Sequence, residues 1–278
     1  MSECGFLGTG GAVATPERDN TALVFNRNED LVLIDCPGSA IAKIGGLGWD
    51  PRKIAALCIT HTHPDHVYGL PAFVHGMLGT DRQVPIYGSS ETIEFCVNLL
   101  DLFHLRKPEA RYRILPFVVK PGDTFSPGGG LLCTALSVRH KPASLGFQFE
   151  WGKRRRRLVY SGDTAIHAPL FELARGADYL VHDCSAPARL FRNDAVLSRM
   201  HSSALELGAR AQAADIQCLI PCHLFSHRGV SAAEIELEIR NSYKRELIVP
   251  RDLEIIRLRA GGRISGKGNH AAYSPDKT

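Results

Sequence analysis

A short histidine-rich segment carries the residue types that bind metal ions. Residues 60–66 read Thr-His-Thr-His-Pro-Asp-His, which places three imidazoles and one carboxylate close together. Imidazole suits zinc, iron, nickel or copper, and a carboxylate adds a harder oxygen ligand, so zinc, manganese and iron all fit the mixture. The segment therefore predicts a metal site rather than a cluster of surface histidines.

The elements around this segment predict how its side chains are presented. An apolar strand is expected at residues 55–60, so His61 and His63 emerge at its end, two residues apart and on the same side. One ion can take both imidazoles. Asp65 and His66 fall in the tight turn that opens the next helix, where their side chains can address a neighbouring ion. Two adjacent metal sites are therefore expected.

Three further candidate ligands stand where other apolar strands stop. They are His140, Asp163 and His223. A centre with two ions needs ligands from distant stretches of the chain, and all three residues are of ligand type. We expect them to complete the centre.

The order of strands and helices predicts two sheets. A meander of strands over residues 5–36 leads into alternating helices and strands, antiparallel strands follow at residues 131–161, and helices and strands alternate again from residue 163. No linker separates the two blocks. Two mixed sheets packed face to face, with helices outside, are the expected architecture.

Smaller signals refine this outline. Ser203 with Glu206, and Ser231 with Glu234, match the capping box, in which a hydroxyl and a carboxylate satisfy free amides at a helix start. We expect a single domain over residues 1–259. The segment 260–278 holds four glycines and few apolar residues, so we expect a mobile tail there.

Composition excludes several classes of protein. The chain has 278 residues, of which 44% are apolar and 22% charged, as in ordinary globular proteins. A net charge of +4 is too small by itself to indicate nucleic-acid binding. No apolar run reaches the 18 or so residues of a membrane span, and the N-terminus lacks a signal-peptide pattern, so a cytoplasmic protein is expected. The eight cysteines are scattered and predict buried thiols.

The motif pattern His-x-His-x-Asp-His, together with the segment Ser161-Gly162-Asp163-Thr164 and the strand-end His223, resembles the metallo-β-lactamase superfamily. The resemblance covers roughly residues 5–245. It implies an α/β fold, a four-layer αββα sandwich of two mixed sheets with helices on both outer faces. It also implies a binuclear centre at one edge of the sandwich.

The same resemblance implies how the ligands divide between two divalent ions. One ion would be held by His61, His63 and His140, the other by Asp65, His66 and His223, and Asp163 would bridge them. Zinc is the favoured metal, with manganese or iron as alternatives. In Leu33-Ile34-Asp35-Cys36, the aspartate is similar to one that supports the ligands in this superfamily, although a plain turn residue fits the pattern equally well.

Within the superfamily, several segments are most similar to the ribonuclease Z branch. They are Phe6-Leu7-Gly8-Thr9-Gly10, Gly69-Leu70-Pro71, His140-Lys141-Pro142, His201-Ser202-Ser203 and His182-Asp183-Cys184-Ser185, the last standing where that branch has His-Glu-Ala-Thr. By this resemblance His201 is a general acid near the scissile phosphate, and Asp183 orients it. His182 is expected to form structural hydrogen bonds rather than to bind metal.

The chain departs from bacterial ribonuclease Z in one respect. There, a long arm that grips transfer RNA is inserted between the positions of His140 and Asp163, which are only 23 positions apart here. In its place stands Trp151-Gly152-Lys153-Arg154-Arg155-Arg156-Arg157, which is expected to form a hairpin tip with five cations. This tip could contact phosphates or be a solvated turn, and Ser226 and Arg228 are further candidates for holding a phosphate.

These features predict a metal-dependent hydrolase, with a phosphodiesterase favoured. Two bound ions would supply an activated hydroxide for attack on the ester, Asp65 would orient it, and His201 would serve the leaving group. The expected substrate is a small phosphodiester or a nucleic acid; no membrane partner is expected, and a homodimer is possible in principle. Two alternatives remain: a lactone, thioester or β-lactam hydrolase, and a non-catalytic, metal-dependent nucleic-acid binder that uses Arg154–Arg157.

Overall fold

The computed structural model of the chain describes residues 2–107, 110–192 and 194–258. The segment 260–278, for which the sequence predicts a mobile tail, lies outside the described residues. The described strands are β1 (Ser2–Gly8), β2 (Ala22–Arg27), β3 (Asp30–Ile34), β4 (Ile54–Cys58), β5 (Arg82–Gly88), β6 (Tyr112–Val118), β7 (Thr124–Phe125), β8 (Leu132–Ser137), β9 (Leu145–Trp151), β10 (Arg156–Tyr160), β11 (Tyr179–Asp183), β12 (Cys218–Cys222), β13 (Glu246–Leu247) and β14 (Glu254–Leu258).

Helices lie between these strands. Those described are α1 (Ala40–Gly46), α2 (Pro64–Val67), α3 (Leu70–Met77), α4 (Ser90–Leu102), α5 (Ala168–Leu173), α6 (Ala188–Phe191), α7 (Leu197–Met200), α8 (Ala204–Ala213) and α9 (Ala232–Arg240). Short 3-10 turns cover Pro51–Lys53 and Ser226–Arg228. The Ser203 and Ser231 hydroxyls accept the amides of Glu206 and Glu234, as the capping-box pattern predicts.

The strands form two mixed sheets of seven strands each in the described part of the chain. The first has the order β14-β1-β2-β3-β4-β5-β6, and the second the order β13-β12-β11-β10-β9-β8-β7. In each sheet a run of antiparallel pairs gives way to parallel pairs, from β3 onward in the first and from β10 onward in the second. The expected architecture of two mixed sheets is confirmed.

Three apolar layers hold the sandwich together. Between the sheets, aromatic side chains from both sides interdigitate; Phe25, for example, packs on Phe149 and Trp151 at ring-centroid distances of 5.6 and 5.2 Å. A second layer joins the outer face of the first sheet to α1, α3 and α4, and a third joins the second sheet to α5, α8 and α9. Helices therefore cover both outer faces, which is the αββα order.

Two helices differ from their predicted extents. The single helix expected near His66 is two helices, α2 and α3, separated by Tyr68 and Gly69. A Cβ at position 69 would lie 2.1 Å from the carbonyl oxygen of Pro37, so only glycine fits there. The sequence of residues 90–105 predicts one helix, but α4 ends at Leu102, and His104 takes a positive φ of 55°. Both changes lie outside the strands that position the predicted ligands.

Two further features bear on the chain as a whole. All eight cysteines are buried and free, as their scattered positions predict. Among the described helices, none has both the length and the apolar character to traverse a bilayer.

Candidate metal centre

The predicted ligands lie together at one edge of the sandwich, where strands of both sheets end. His61 and His63 follow β4, and Asp65 and His66 lie in the single turn of α2. The remaining three follow strands of the second sheet: His140 after β8, Asp163 after β10 and His223 after β12. In the second sheet, β8 and β10 are both antiparallel to β9, and β10, β11 and β12 are parallel, so β8, β10 and β12 have their carboxyl ends at the same edge.

The first group of ligand atoms comprises three imidazoles and a carboxylate. The Nε2 atoms of His61 and His140 lie 3.0 and 3.3 Å from Nδ1 of His63, and each lies 3.9 Å from Oδ2 of Asp163. Four donors arranged tetrahedrally about zinc at its usual bond lengths lie about 3.3–3.6 Å apart. The donor set and its spacing fit one zinc-sized ion.

The second group shares Asp163 with the first. The Nε2 atom of His66 lies 3.4 Å from Asp65 Oδ2 and from Asp163 Oδ1. The Nε2 atom of His223 lies 3.5 Å from Asp65 Oδ2 and 3.2 Å from Asp163 Oδ2. Within each group the ligand atoms all lie within 4.8 Å of one another. Two ions side by side, with Asp163 between them, suit this arrangement.

Three of these atoms are buried and lack a hydrogen-bond partner among the described residues. They are His66 Nε2, His223 Nε2 and Asp163 Oδ1. Leaving a buried polar atom unsatisfied costs about 1–3 kcal/mol, so native proteins rarely keep several at one point without a reason. A cation coordinated by these atoms would satisfy all three, and the residues present therefore fit a metal centre.

The electrostatic environment of the first group keeps its imidazoles neutral. Burial lowers the pKa of His61 well below its ordinary value, and burial also lowers the pKa values of His63 and His140. A metal ion binds the neutral form of imidazole. The first group is thus held in the protonation state that ligation requires.

The second group pairs imidazoles with ionised carboxylates. Burial opposes charge on Asp163, but the nearby His223 and His66 outweigh it and bring the pKa of Asp163 well below its usual range. Burial likewise opposes charge on His223, but Asp163 and contact with Asp65 raise the pKa of His223 to about 9. The pKa of Asp65 is lowered for the same reason, since contacts with His223 and His66 outweigh burial. The two carboxylates are therefore ionised and able to bind cations.

Hydrogen bonds to the second ring nitrogen orient several of these imidazoles. The Nδ1 atom of His140 lies 2.9 Å from the carbonyl oxygen of Met200, which can only accept, so the proton is on Nδ1 and Nε2 is left with its lone pair. The Nδ1 atom of His61 lies 2.9 Å from the Thr60 hydroxyl. Such contacts set both the tautomer and the ring direction of a metal ligand.

Asp35 orients the imidazole ring of His66 in the same way. Its Oδ2 lies 2.8 Å from His66 Nδ1, while its Oδ1 accepts the backbone N–H of Thr60 at 2.8 Å. The carboxylate is fully buried, and Asp35 takes a positive φ of 59° where β3 ends. Of the two interpretations of Asp35, the structure favours a support for the ligands over a plain turn residue.

His201 and Asp183 lie beside the second group. The Nδ1–H of His201 donates to Asp183 Oδ2 at 2.8 Å, and the His201 ring stacks on that of His223 with centroids 5.2 Å apart. The other oxygen of Asp183 accepts the Ser185 hydroxyl at 2.8 Å, and the Ser185 oxygen lies 3.2 Å from His223 Nδ1. A chain of hydrogen bonds therefore joins His201 to the candidate ligand His223.

Two partners of this site were not predicted from the sequence. Ser185 was noted for its position in the segment 182–185 but without a role, although a hydroxyl two residues after a strand-end aspartate is a usable signal. Met200 contributes its backbone carbonyl to a contact across 60 positions. Because every residue has such a carbonyl, the residue types in the sequence do not indicate this contact. The contact with Met200 depends on the tertiary fold alone.

The remaining candidates lie away from the ligand atoms. His182 is buried, with Nδ1 2.8 Å from the carbonyl oxygen of Asp183 and its ring against Phe171, so it belongs to the structural interior as predicted. Arg228 pairs with Asp194 at 3.5 Å, and Ser226 lies in the same 3-10 turn.

The predicted cationic hairpin tip needs correction. Arg156 and Arg157 belong to β10 rather than to the turn. Arg156 forms an ion pair with Asp178, and Arg157 donates to backbone carbonyls of residues 173 and 175. The turn therefore presents Lys153, Arg154 and Arg155 rather than five cations. It also lies at the far end of β9 from the metal centre, about 20 Å away along the strand.

Curated proteins similar to this chain include ribonucleases Z of archaea. Ribonuclease Z of Methanosarcina acetivorans is 27% identical over 89% of this chain and 95% of the relative. Ribonuclease Z of Thermococcus kodakarensis is also 27% identical, over 94% of this chain and 96% of the relative. The similarity thus extends over nearly the whole length of both chains.

Solved structures share the fold. The metallo-β-lactamase fold protein YhfI from Bacillus subtilis matches with a TM-score of 0.74 and 18% identity, over 92% of this chain and 98% of the other. The short form of human tRNase Z gives the same TM-score with 19% identity, over 92% and 99%. At these identities the likeness establishes the fold, which is the metallo-β-lactamase sandwich.

A family description matches most of the chain. The family is named Anti-Pycsar protein Apyc1, and the match covers residues 3–202. That range includes six of the seven predicted ligands, as well as Asp183 and His201, and leaves out His223. With its metallo-β-lactamase fold and ribonuclease Z-like sequence, the chain belongs to the Anti-Pycsar protein Apyc1 family.

Proposed function

We propose that this protein is a metal-dependent phosphodiesterase whose two divalent ions are held by seven side chains. These are His61, His63, His140, Asp163, Asp65, His66 and His223. Zinc is the favoured metal because the first group offers three neutral imidazoles and one carboxylate. Similarity to ribonucleases Z supports the choice of phosphodiesters over other esters.

One observation carries the proposal. Three buried atoms without hydrogen-bond partners, on His66, His223 and Asp163, face one another, and the hydrogen-bonded pair of His201 and Asp183 lies directly beside them. A coordinating centre next to an oriented imidazole is what hydrolysis of a phosphodiester requires: one component to supply the nucleophile, and one to serve the leaving oxygen.

The bound ions would lower the pKa of water toward neutrality and stabilise the negative charge that develops on the phosphate. The chain's own residues prepare that chemistry. Asp163 lies between the two groups of imidazoles. Asp65 is ionised although it is buried, and it can accept a hydrogen bond from the attacking water and fix its direction. Asp35 holds His66 in the ligating tautomer.

His201 is the group that we assign to the leaving oxygen. Its Nδ1–H is committed to Asp183, so Nε2 carries the exchangeable proton, and part of the side chain is exposed at the site. The Asp183 carboxylate fixes the direction of the imidazole ring. A proton held there can pass to an alkoxide as the phosphorus–oxygen bond breaks.

The other predicted activities receive less support. Hydrolysis of a lactone or thioester would use the same centre, but the relatives that match over nearly the whole chain are ribonucleases Z. The hypothesis of a nucleic-acid binder depends on the cluster Arg154–Arg157. Two of these arginines instead contact the protein itself: Arg156 pairs with Asp178, and Arg157 donates to a backbone carbonyl. The proposed substrates include both nucleic acids and small phosphodiesters, and cytoplasmic location and a homodimer stay predictions.

The test combines metal analysis with a substrate panel. Protein purified without chelators is expected to contain two equivalents of metal, and to hydrolyse aryl phosphodiesters and dinucleotides but not lactones or β-lactams. Asp163→Asn should lose both metal and activity. The exposed variant Asp101→Asn on α4 removes the same charge far from the site and serves as the control. Preferential lactone hydrolysis by the wild type, or an Asp163→Asn enzyme that is fully active, would contradict the proposal.

The matched family is named Anti-Pycsar protein Apyc1. We propose that this chain also has the anti-Pycsar role that the family name states. If the anti-Pycsar role depends on hydrolysis, the Asp163→Asn variant should lose both this role and the phosphodiesterase activity. The Asp101→Asn control should keep both.

A further inference from the structure

A cleft next to the metal centre collects three arginines from separate parts of the chain. It has a volume of about 490 Å³, and Arg139, Arg192 and Arg210 line it. We propose that this arginine cleft is a second phosphate-binding site, which holds a phosphate group of the substrate other than the one that is cleaved. The inference rests on the proposed phosphodiesterase function and adds a substrate class to it: phosphodiesters that carry a further phosphate.

The three arginines are exposed and have no carboxylate partner within 4 Å among the residues that the structure describes. The lining includes one acidic residue, Glu206, whose carboxylate accepts the Ser203 hydroxyl at 3.2 Å as part of the start of α8. Three guanidinium groups and one carboxylate leave the cleft with a net positive charge.

A neighbouring histidine responds to this charge. Burial lowers the pKa of His167, and the positive charge of Arg139 lowers it further. The potential that Arg139 creates thus extends to other groups near the cleft. Such a potential attracts anions.

The cleft and the metal centre share their backbone supports. Arg139 immediately precedes the candidate ligand His140, and Ser203 lies two residues after His201. Two residues span at most about 7 Å, so the walls of the cleft begin close to the reacting groups. The Ala165 N–H donates to the carbonyl oxygen of Arg139 at 3.0 Å, which ties the two segments together. The distance from the centre to the cleft is therefore fixed by the fold, as a subsite for one extended ligand requires.

The chemistry of the lining selects a phosphate. A guanidinium offers paired N–H donors in a fork that matches two phosphate oxygens, and it keeps its charge at every physiological pH. Apolar surface from Ile166 and Phe191 adjoins the arginines, and it can contact the sugar or base that accompanies a phosphate in a nucleotide. The volume lies in the range of small-ligand sites.

A kinetic comparison tests the proposal. The substrates are a thymidine dinucleotide without a terminal phosphate and the same dinucleotide phosphorylated at its 5′ or its 3′ end. For the wild type, one of the terminal phosphates should raise kcat/KM by about tenfold or more, as expected for a bidentate charged contact. In the double variant R192Q/R210Q this ratio should fall to about one. The ratio cancels any general effect of the substitutions on turnover.

A matched control removes the same two positive charges elsewhere. The variant K153Q/R154Q changes the β9–β10 turn at the far end of the sandwich and should keep the wild-type ratio. An unchanged ratio in R192Q/R210Q, an equal loss in K153Q/R154Q, or no gain from either terminal phosphate in the wild type would overturn the proposal.

A binding measurement separates this result from the fate of the proposed function. Calorimetric titration of the holoprotein with inorganic phosphate should show one more bound phosphate in the wild type and in K153Q/R154Q than in R192Q/R210Q. The difference in bound phosphate is expected even if the enzyme hydrolyses no phosphodiester on the panel. The titration therefore detects the second phosphate site whether or not the proposed function is correct. Equal stoichiometry in all three proteins would overturn the site. The extra phosphate without any kinetic gain would overturn its assignment to the substrate and indicate a site for a free anion.

Discussion

His201 and Asp183 are joined by a hydrogen bond of 2.8 Å from imidazole Nδ1 to carboxylate Oδ2, although they belong to different elements and lie 18 positions apart. The same carboxylate accepts the Ser185 hydroxyl and the backbone N–H of Thr164. Asp183 is thus held rigidly, and it holds the ring of His201 next to that of His223. Asp183 therefore supports both His201, which we assign to the leaving group, and, through Ser185, His223, which we propose as a metal ligand.

The first prediction concerns the role of His201. The variant His201→Ala should keep two equivalents of metal, because His201 lies outside the two groups that we assign to the ions. Turnover of substrates with poor leaving groups, such as dinucleotides, should fall by about 10²- to 10⁴-fold, the usual contribution of a general acid. Activated aryl esters need no proton and should lose far less. An equal loss on both substrate classes would show that His201 has another role.

The second prediction concerns Asp35. In Asp35→Asn the amide nitrogen replaces the oxygen that accepts from His66, so His66 loses the partner that sets its tautomer. Asparagine tolerates the positive φ at this position, and the fold should survive. The affinity for one of the two ions should fall by about 10- to 100-fold.

Competition with a metal chelator measures that change, and Asp101→Asn is again the matched control. If both ions bind to Asp35→Asn as tightly as to the wild type, the orienting role of Asp35 is wrong.

The third prediction concerns thermal stability. Coordination by the buried atoms of His66, His223 and Asp163 stabilises the folded chain, since those atoms come together only there. At a free metal concentration about 1,000 times Kd, each bound ion raises the free energy of unfolding by about 4 kcal/mol, which corresponds to a rise in Tm of about 8 °C per ion.

Scanning calorimetry with and without added zinc measures this difference. In Asp163→Ala the rise should largely disappear, because the residue shared by both groups is gone. The comparison is made within each protein, so any change in baseline stability cancels. The same metal-dependent rise in both proteins would exclude Asp163 as a shared ligand.

The fourth prediction concerns the cysteines. All eight thiols are buried, and burial raises the pKa values of Cys4 and Cys96 to about 12. Since the thiolate is the reactive form, an aromatic disulfide reagent at pH 8 should label the native protein slowly and modify all eight thiols only after denaturation. Rapid stoichiometric labelling of a thiol in the native protein would contradict the described packing.

A good part of the site was predictable from the sequence because local spacing decides local geometry. The segment 60–66 predicts its own arrangement: the strand before it is apolar, and the proline at its centre opens a helical turn, so the four ligand-type side chains lie within a few ångströms whatever the rest of the chain does. Strand-end positions pointed to His140, Asp163 and His223 for the same reason.

The sequence by itself determined which side chains could bind metal and which elements carry them, because residue type and periodicity are local properties. Only the tertiary structure decided the rest. Several contacts join segments whose spacing in the sequence follows no rule. They are the contact of His140 with the Met200 carbonyl, the contact of Ser185 with His223, and the ion pair of Arg156 with Asp178. The position of Arg139, Arg192 and Arg210 in one cleft also depends on the tertiary structure. The three residues are far apart in the sequence, and only the packing of sheets and helices brings them together as the proposed anion site.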